Sequence, residues 1–145
     1  MSATAGQAEG MRGLAERLGI QPGMVVMEIG YDEDSDTELR DAVAERSGSE
    51  LVDADSDDVV DVVMQWWRED DGDLADALVD ALSPLAEGGT VWLLTPKVGR
   101  DGHVEPSEIS EAASTAGLQQ TSTISATQDW AGARLVAPKS SRSRR

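Results

Sequence analysis

The sequence has no cysteine and no phenylalanine, and only one histidine and one tyrosine. Without cysteine there is no disulfide, no zinc–thiolate site, no iron–sulfur cluster and no thiol nucleophile. With so few aromatics, the core must rest on Val, Leu, Ile, Ala, Met and the four Trp. No apolar run approaches the roughly 18 residues that span a bilayer. The N-terminus has neither an apolar stretch nor a basic lead of the secretory kind, so the expected location is cytoplasmic. Cations are also few: the net charge is −16 over 145 residues.

That charge is unevenly placed. Glu28 to Asp80 holds 20 acidic residues against Arg40, Arg46 and Arg68. Such a body repels phosphates, so nucleic acid is not expected to bind it. The acidity serves solubility or, on a sharper reading, a basic protein partner. The last seven residues, Lys139 to Arg145, carry four cations and no anion. They read as a solvated basic tail, with weak, salt-sensitive contacts at most. The length suits one domain, expected over 11–138 between a disordered 1–10 and a disordered 139–145. The oligomeric state cannot be read.

Punctuation by Gly and Pro divides the chain. Met11, Leu14, Ala15 and Leu18 repeat at helical spacing, predicting a helix over about 8–19. Met24 to Ile29 is a continuous apolar run of the kind buried on both faces of a sheet. Asp36 is a candidate N-cap for a helix from Thr37 to about Arg46, stopped by Gly48. Glu50 to Asp53 predicts a short second strand. Val59 to Trp67, rich in β-branched and aromatic residues, predicts a central strand. A broad apolar stripe predicts a helix over 74–86, with Pro84 bending or shortening it. Glu87-Gly88-Gly89 reads as a break before a strand at Thr90–Thr95. Pro106 opens a helix that Gly117 closes. Leu118–Thr127 and Ala133–Ala137 predict a closing pair of strands. Alternating strands and helices imply an α/β fold: a three-layer, Rossmann-like, mostly parallel sheet with an antiparallel C-terminal strand.

Leu18 to Gly30, with Pro22-Gly23 leading into a strand that ends Glu28-Ile29-Gly30, resembles the entry to a class I S-adenosylmethionine-dependent methyltransferase. Gly88 to Leu94 resembles that fold's fifth strand, and Trp130 to Pro138 its antiparallel last strand. The whole chain resembles the actinobacterial DUF3052 family, a family defined without a function. The methyltransferase likeness implies a shortened methyltransferase-like topology, because the span between the second strand and Val59 leaves no room for the usual third helix and strand. It also implies a cofactor site at Glu28, Gly30 and Asp53, with Asp53 at the position that holds ribose hydroxyls. The departures imply that this site is degenerate. Gly30 is followed by Tyr31-Asp32-Glu33-Asp34-Ser35-Asp36 with no second Gly, so side chains would occupy cofactor space and acids would surround its carboxylate. Gln65-Trp66-Trp67 stands where the family has a proline–aromatic motif. A strand-end carboxylate satisfied by backbone N–H groups is the more ordinary account of Glu28 and Asp53, because such carboxylates are common and the glycine loop is missing.

Other chemistry finds little purchase. Asp53, Asp55, Asp57 and Asp58 mimic the start of a calcium loop, but Asp58 replaces the required Gly and Met64 the closing Glu. His103 lies in a Gly-rich loop and reads as a solvated side chain. There is no Gly-x-Ser-x-Gly elbow and no phosphate-binding loop. No metal site and no catalytic residue is expected. Trp66 and Trp67, adjacent on a strand, must face opposite sides of the sheet. One suits the core, and the other suits the core or a candidate cleft at the strand's C-terminal end.

The first expectation is therefore a non-catalytic binding or regulatory protein on a degenerate methyltransferase-like fold, with an acidic interaction face from Asp32 to Asp80, a basic protein partner and no cofactor. The second is a divergent S-adenosylmethionine-dependent methyltransferase or nucleoside-binding enzyme, with Glu28, Gly30 and Asp53 on the cofactor and Trp66 beside the substrate. A third is a nucleic-acid mimic that competes for a DNA- or RNA-binding protein.

Overall fold

The structure, a computed structural model, describes residues 13–137. The expected disordered end at 1–10 and the basic tail at 139–145 lie outside them.

Helix α1 is described over 13–17. Strand β1 (Val26–Ile29) and helix α2 (Thr37–Ser47) follow. Asp36 caps α2 as expected: its carboxylate accepts from Leu39 N at 3.0 Å, and Gly48 ends the helix in the left-handed region. Strand β2 spans Val60–Trp66. A 3-10 turn at Glu69–Asp71 leads to helix α3 (Leu74–Leu82), strand β3 (Leu85–Pro96) and helix α4 (Pro106–Ala116). Strands β4 (Gln119–Ser125) and β5 (Trp130–Val136) close the chain.

The five strands form one sheet in the order β1-β2-β3-β5-β4. The first three are parallel, and β5 runs antiparallel to both β3 and β4. Each helix pair covers one face. Leu14, Ala15 and Leu18 from the α1 region and Leu39, Ala42 and Val43 from α2 pack on Val26, Met64, Trp66, Trp92 and Leu94. Leu74, Leu78 and Ala81 from α3 and Ile109, Ala112 and Ala113 from α4 pack on Met27, Val63, Val91 and Leu93. Consecutive strand residues go to opposite faces, which is why the parallel strands read as unbroken apolar runs. The three-layer α/β fold is the one the sequence predicts.

Two elements differ from expectation. The second strand at Glu50–Asp53 shrinks to a single parallel bridge, Val52 to Met27. The helix expected over 74–86 ends at Leu82, and Leu85 already pairs with Val60. Pro84 cannot extend the helix, but its carbonyl accepts from Val60 N at 2.8 Å. The supposed break Glu87-Gly88-Gly89 lies inside β3 as an irregular bulge, because Val60 faces Leu85 while Val62 faces Thr90.

Candidate functional site

The C-terminal ends of β1 and β2 and the 30–36 loop meet over the α1–α2 face of the sheet. Glu28, in the middle of β1, points into that layer and is 7% exposed. A buried carboxylate must find donors, and Glu28 finds two. Trp66 Nε1 donates to Oε2 at 3.0 Å, and Arg40 Nε from α2 reaches Oε1 at 2.8 Å. Burial pushes the Glu28 carboxyl above the usual carboxylate range, while the Trp66 and Arg40 bonds pull it back.

Aromatic rings build outward from this pair. Trp130, at the start of β5, meets Trp66 edge-on with centroids 4.8 Å apart. Tyr31 also meets Trp66 edge-on, with centroids 6.2 Å apart. The guanidinium of Arg40 lies 4.4 Å above the Tyr31 ring, and that of Arg68 lies 5.1 Å from the Trp130 ring. These are favourable edge and cation–π geometries. The Tyr31 hydroxyl bonds Thr37, and Trp130 Nε1 donates to the Asp34 carbonyl at 3.1 Å.

Arg68 ties the loop down. Its Nη1 donates to the Gly30 carbonyl at 2.7 Å. Its fork engages the Asp34 carboxylate, with Nε to Oδ2 at 3.1 Å, and Nη2 reaches Ser35 Oγ at 3.0 Å. Its own backbone N–H donates to Asp71 at 3.0 Å. The Arg68 guanidinium holds the Asp34 carboxyl below the usual carboxylate range. Sequence reasoning missed both Arg68 and Trp130 as members of this cluster. The available signal was Arg68 standing as a lone cation in an acidic stretch.

The other expected site residues fall as follows. Gly30 has φ of 82°, and a Cβ there would lie 2.4 Å from the Trp66 carbonyl oxygen. The chain itself therefore demands glycine at this point. Asp53 is exposed, and among the described hydrogen bonds its carboxylate accepts only from Asp55 N, at 3.0 Å, while its carbonyl accepts from Ser56 N. No described hydrogen bond joins it to Glu28. Trp66 and Trp67 are 1% and 7% exposed and pack on opposite faces. His103 differs from the solvated side chain expected: its Nδ1 lies 2.9 Å from the Pro96 carbonyl oxygen. Among the described residues no group of three or more His, Asp or Glu gathers as a metal site, and no helix is long and apolar enough to cross a membrane.

The sequence pattern described as "Protein of unknown function (DUF3052)" matches residues 15–139. The chain belongs to the DUF3052 family. Within reach of this DUF3052 chain are uncharacterised proteins of Mycobacterium tuberculosis (Rv2239c) and Mycobacterium bovis (Mb2263c). Each is 53% identical over 126 residues, covering 87% of this chain and 79% of the relative. Among solved structures, this DUF3052 chain is similar to a precorrin-6y C5,15-methyltransferase from Geobacter metallireducens, with a TM-score of 0.61 and 8% identity over 90% of this chain and 87% of that one. It is also similar to a TehB-like SAM-dependent methyltransferase from Corynebacterium glutamicum, with a TM-score of 0.56 and 15% identity over 89% and 88%. A magnesium protoporphyrin IX methyltransferase from Synechocystis with bound SAM gives 0.56 and 13% over 92% and 81%. At these identities the likeness is one of fold.

Proposed function

We propose that this DUF3052 chain is a binding or regulatory protein without catalytic activity, built on a methyltransferase-type sheet, whose acidic surface meets a basic protein partner. One observation carries the reading: the residues most specific to the cofactor motif already have internal partners. The Glu28 carboxylate is taken by Trp66 and Arg40. Gly30 is explained by the Trp66 carbonyl pressed against it. Arg68, Tyr31 and Trp130 pack the space beside them.

The donor set does not suit S-adenosylmethionine. The loop that would receive its carboxylate carries Asp32, Glu33, Asp34 and Asp36, and like charges repel. The second reading, a divergent methyltransferase, draws its support from the solved neighbours.

Thermal unfolding with millimolar S-adenosylmethionine and S-adenosylhomocysteine separates the two. Ligand at 100 times its dissociation constant adds about 2.7 kcal/mol, which for this size raises the midpoint by several degrees. The expected result is no shift. A rise of that size, abolished by Glu28→Ala and by Asp53→Ala, overturns the proposal.

A further inference from the structure

A second feature lies on the opposite face of the sheet. The link from Asp53 to Val59 is a loop without helix or strand, and β1 has only the Val52 bridge beyond it. Helix α3 covers β2 and β3 and leaves a groove of about 560 Å³ between itself, β1 and the 54–58 loop. That volume falls within the range of ligand sites. Met27 and Ile29 contribute apolar lining, and Asp57, Asp58 and Asp80 contribute carboxylates. All three carboxylates are exposed, and among the described residues none forms an ion pair. Val59, which also lines the groove, is an apolar side chain left 69% exposed.

Gln65 is the buried polar residue of the groove lining. It projects from β2 into the lining and is 3% exposed. Its Oε1 is the single buried side-chain N or O atom among the described residues with no hydrogen-bond partner. A buried acceptor left unpaired is costly, and native structures keep few of them. An incoming N–H donor removes that cost.

We infer that this groove receives an arginine side chain from a basic protein segment, the guanidinium donating to Gln65 Oε1 while the acidic rim neutralises its charge. The inference rests on the reading of the chain as a binding protein with a basic partner, and it places that contact. Arginine fits better than lysine for two reasons. Its planar fork offers several donors at once, enough for an amide oxygen and a carboxylate together. It is also less strongly hydrated than an ammonium, so it enters a partly apolar groove at lower cost. Anionic ligands are excluded by the rim.

The test is a titration of the full-length, 15N-labelled chain at low salt, followed by NMR. The probes are the peptide acetyl-Ala-Arg-Leu-Arg-Ala-amide, its lysine counterpart and spermine. Saturable shifts at Met27, Ile29, Asp80 and the Gln65 side-chain amide are expected with the arginine peptide. It should bind about tenfold tighter than the lysine peptide. Gln65→Leu should abolish that preference and leave lysine-peptide binding unchanged. The amide dispersion of Gln65→Leu reports whether it folds. The surface pair Asp57→Asn with Asp80→Asn, which leaves the core untouched, should weaken the arginine peptide severalfold. Equal binding of all three probes, insensitive to Gln65→Leu, means counter-ion attraction alone and overturns the inference. Shifts confined to Asp32–Asp36 overturn it while leaving a basic partner in place. No binding of any probe overturns both.

Discussion

Glu28 keeps a carboxylate inside the protein with one neutral donor, Trp66 Nε1, and one charged donor, Arg40 Nε. Arg40 is itself 43% exposed at the side chain, so water screens part of its charge. That weakens it against the full desolvation of Glu28, and the carboxyl sits above its usual range. A carboxyl with a raised folded-state pKa binds more protons folded than unfolded as pH climbs through the carboxylate range. Its contribution to stability is therefore greatest at low pH and declines as pH rises through that window. Glu28→Gln keeps an acceptor for Trp66 and does not titrate. The stability of the parent chain relative to Glu28→Gln should fall between pH 4 and pH 7 in urea unfolding midpoints. A flat or rising difference counts against the burial argument. At this scale, the sequence made Glu28 and Gly30 legible, through the strand that ends in acid-x-Gly. Their partners were not legible. Trp66 lies 38 residues from Glu28, Arg68 lies 34 from Asp34, and Trp130 lies 96 from Asp34. Only the sheet order brings them together.

Helix ends and strand starts follow local chemistry wherever one residue decides them. Asp36 and Gly48 bound α2 and Pro106 and Gly117 bound α4 as read from the sequence, because caps and first-turn prolines act within a few residues. The α3–β3 junction was misread for the opposite reason. Leu78, Ala81, Leu82 and Leu85 continue one helical stripe, but Leu85 belongs to a strand whose pairing with β2 depends on residues 25 positions away. Gly88-Gly89, a break by composition, lets β3 bulge: Gly88 has φ of 83°, and a Cβ on Gly89 would stand 2.8 Å from the Asp61 carbonyl oxygen and 2.7 Å from Leu85 Cδ1. The Asp61 side chain is also committed, accepting from Val25 N at 2.9 Å. Backbone on one side of Gly89 cannot yield cheaply. Gly89→Ala should therefore destabilise the chain by about 1–3 kcal/mol, the usual overpacking cost. Gly89 is not among the glycines with positive φ, so this cost is steric and not a backbone strain. Urea midpoints of Gly89→Ala against the parent chain check this: a loss well below about 1 kcal/mol would show that the close approach to Asp61 is relieved by movement of the strand.

For the molecule as a whole the dominant electrostatic fact is repulsion. Twenty acids between Glu28 and Asp80 face three arginines in the same stretch, and two of those three are already committed to Glu28 and Asp34. Like charges spread over the surface destabilise the compact state, and the unfolded chain relieves them by expanding. Salt acts on both sides of this balance. It screens repulsions between exposed carboxylates, and it also weakens attractive pairs. Among the described residues the attractive pairs are few. The two that matter most each have a well-buried member: the Glu28 side chain is 5% exposed and the Arg68 side chain 13%. Pairs shielded from water feel salt least. The exposed acids feel it most, because the Debye length falls from about 30 Å at 0.01 M to about 10 Å at 0.1 M. The net effect should favour the folded state. The thermal midpoint should rise by a few degrees between 10 mM and 300 mM sodium chloride, where about 1 kcal/mol corresponds to several degrees at this size. The rise should shrink near pH 4, where the carboxylates begin to protonate and the repulsion fades. A midpoint that falls with salt at neutral pH would mean that the attractive pairs outweigh the acidic surface. The surface acids would then be positioned against one another's fields more favourably than their number implies.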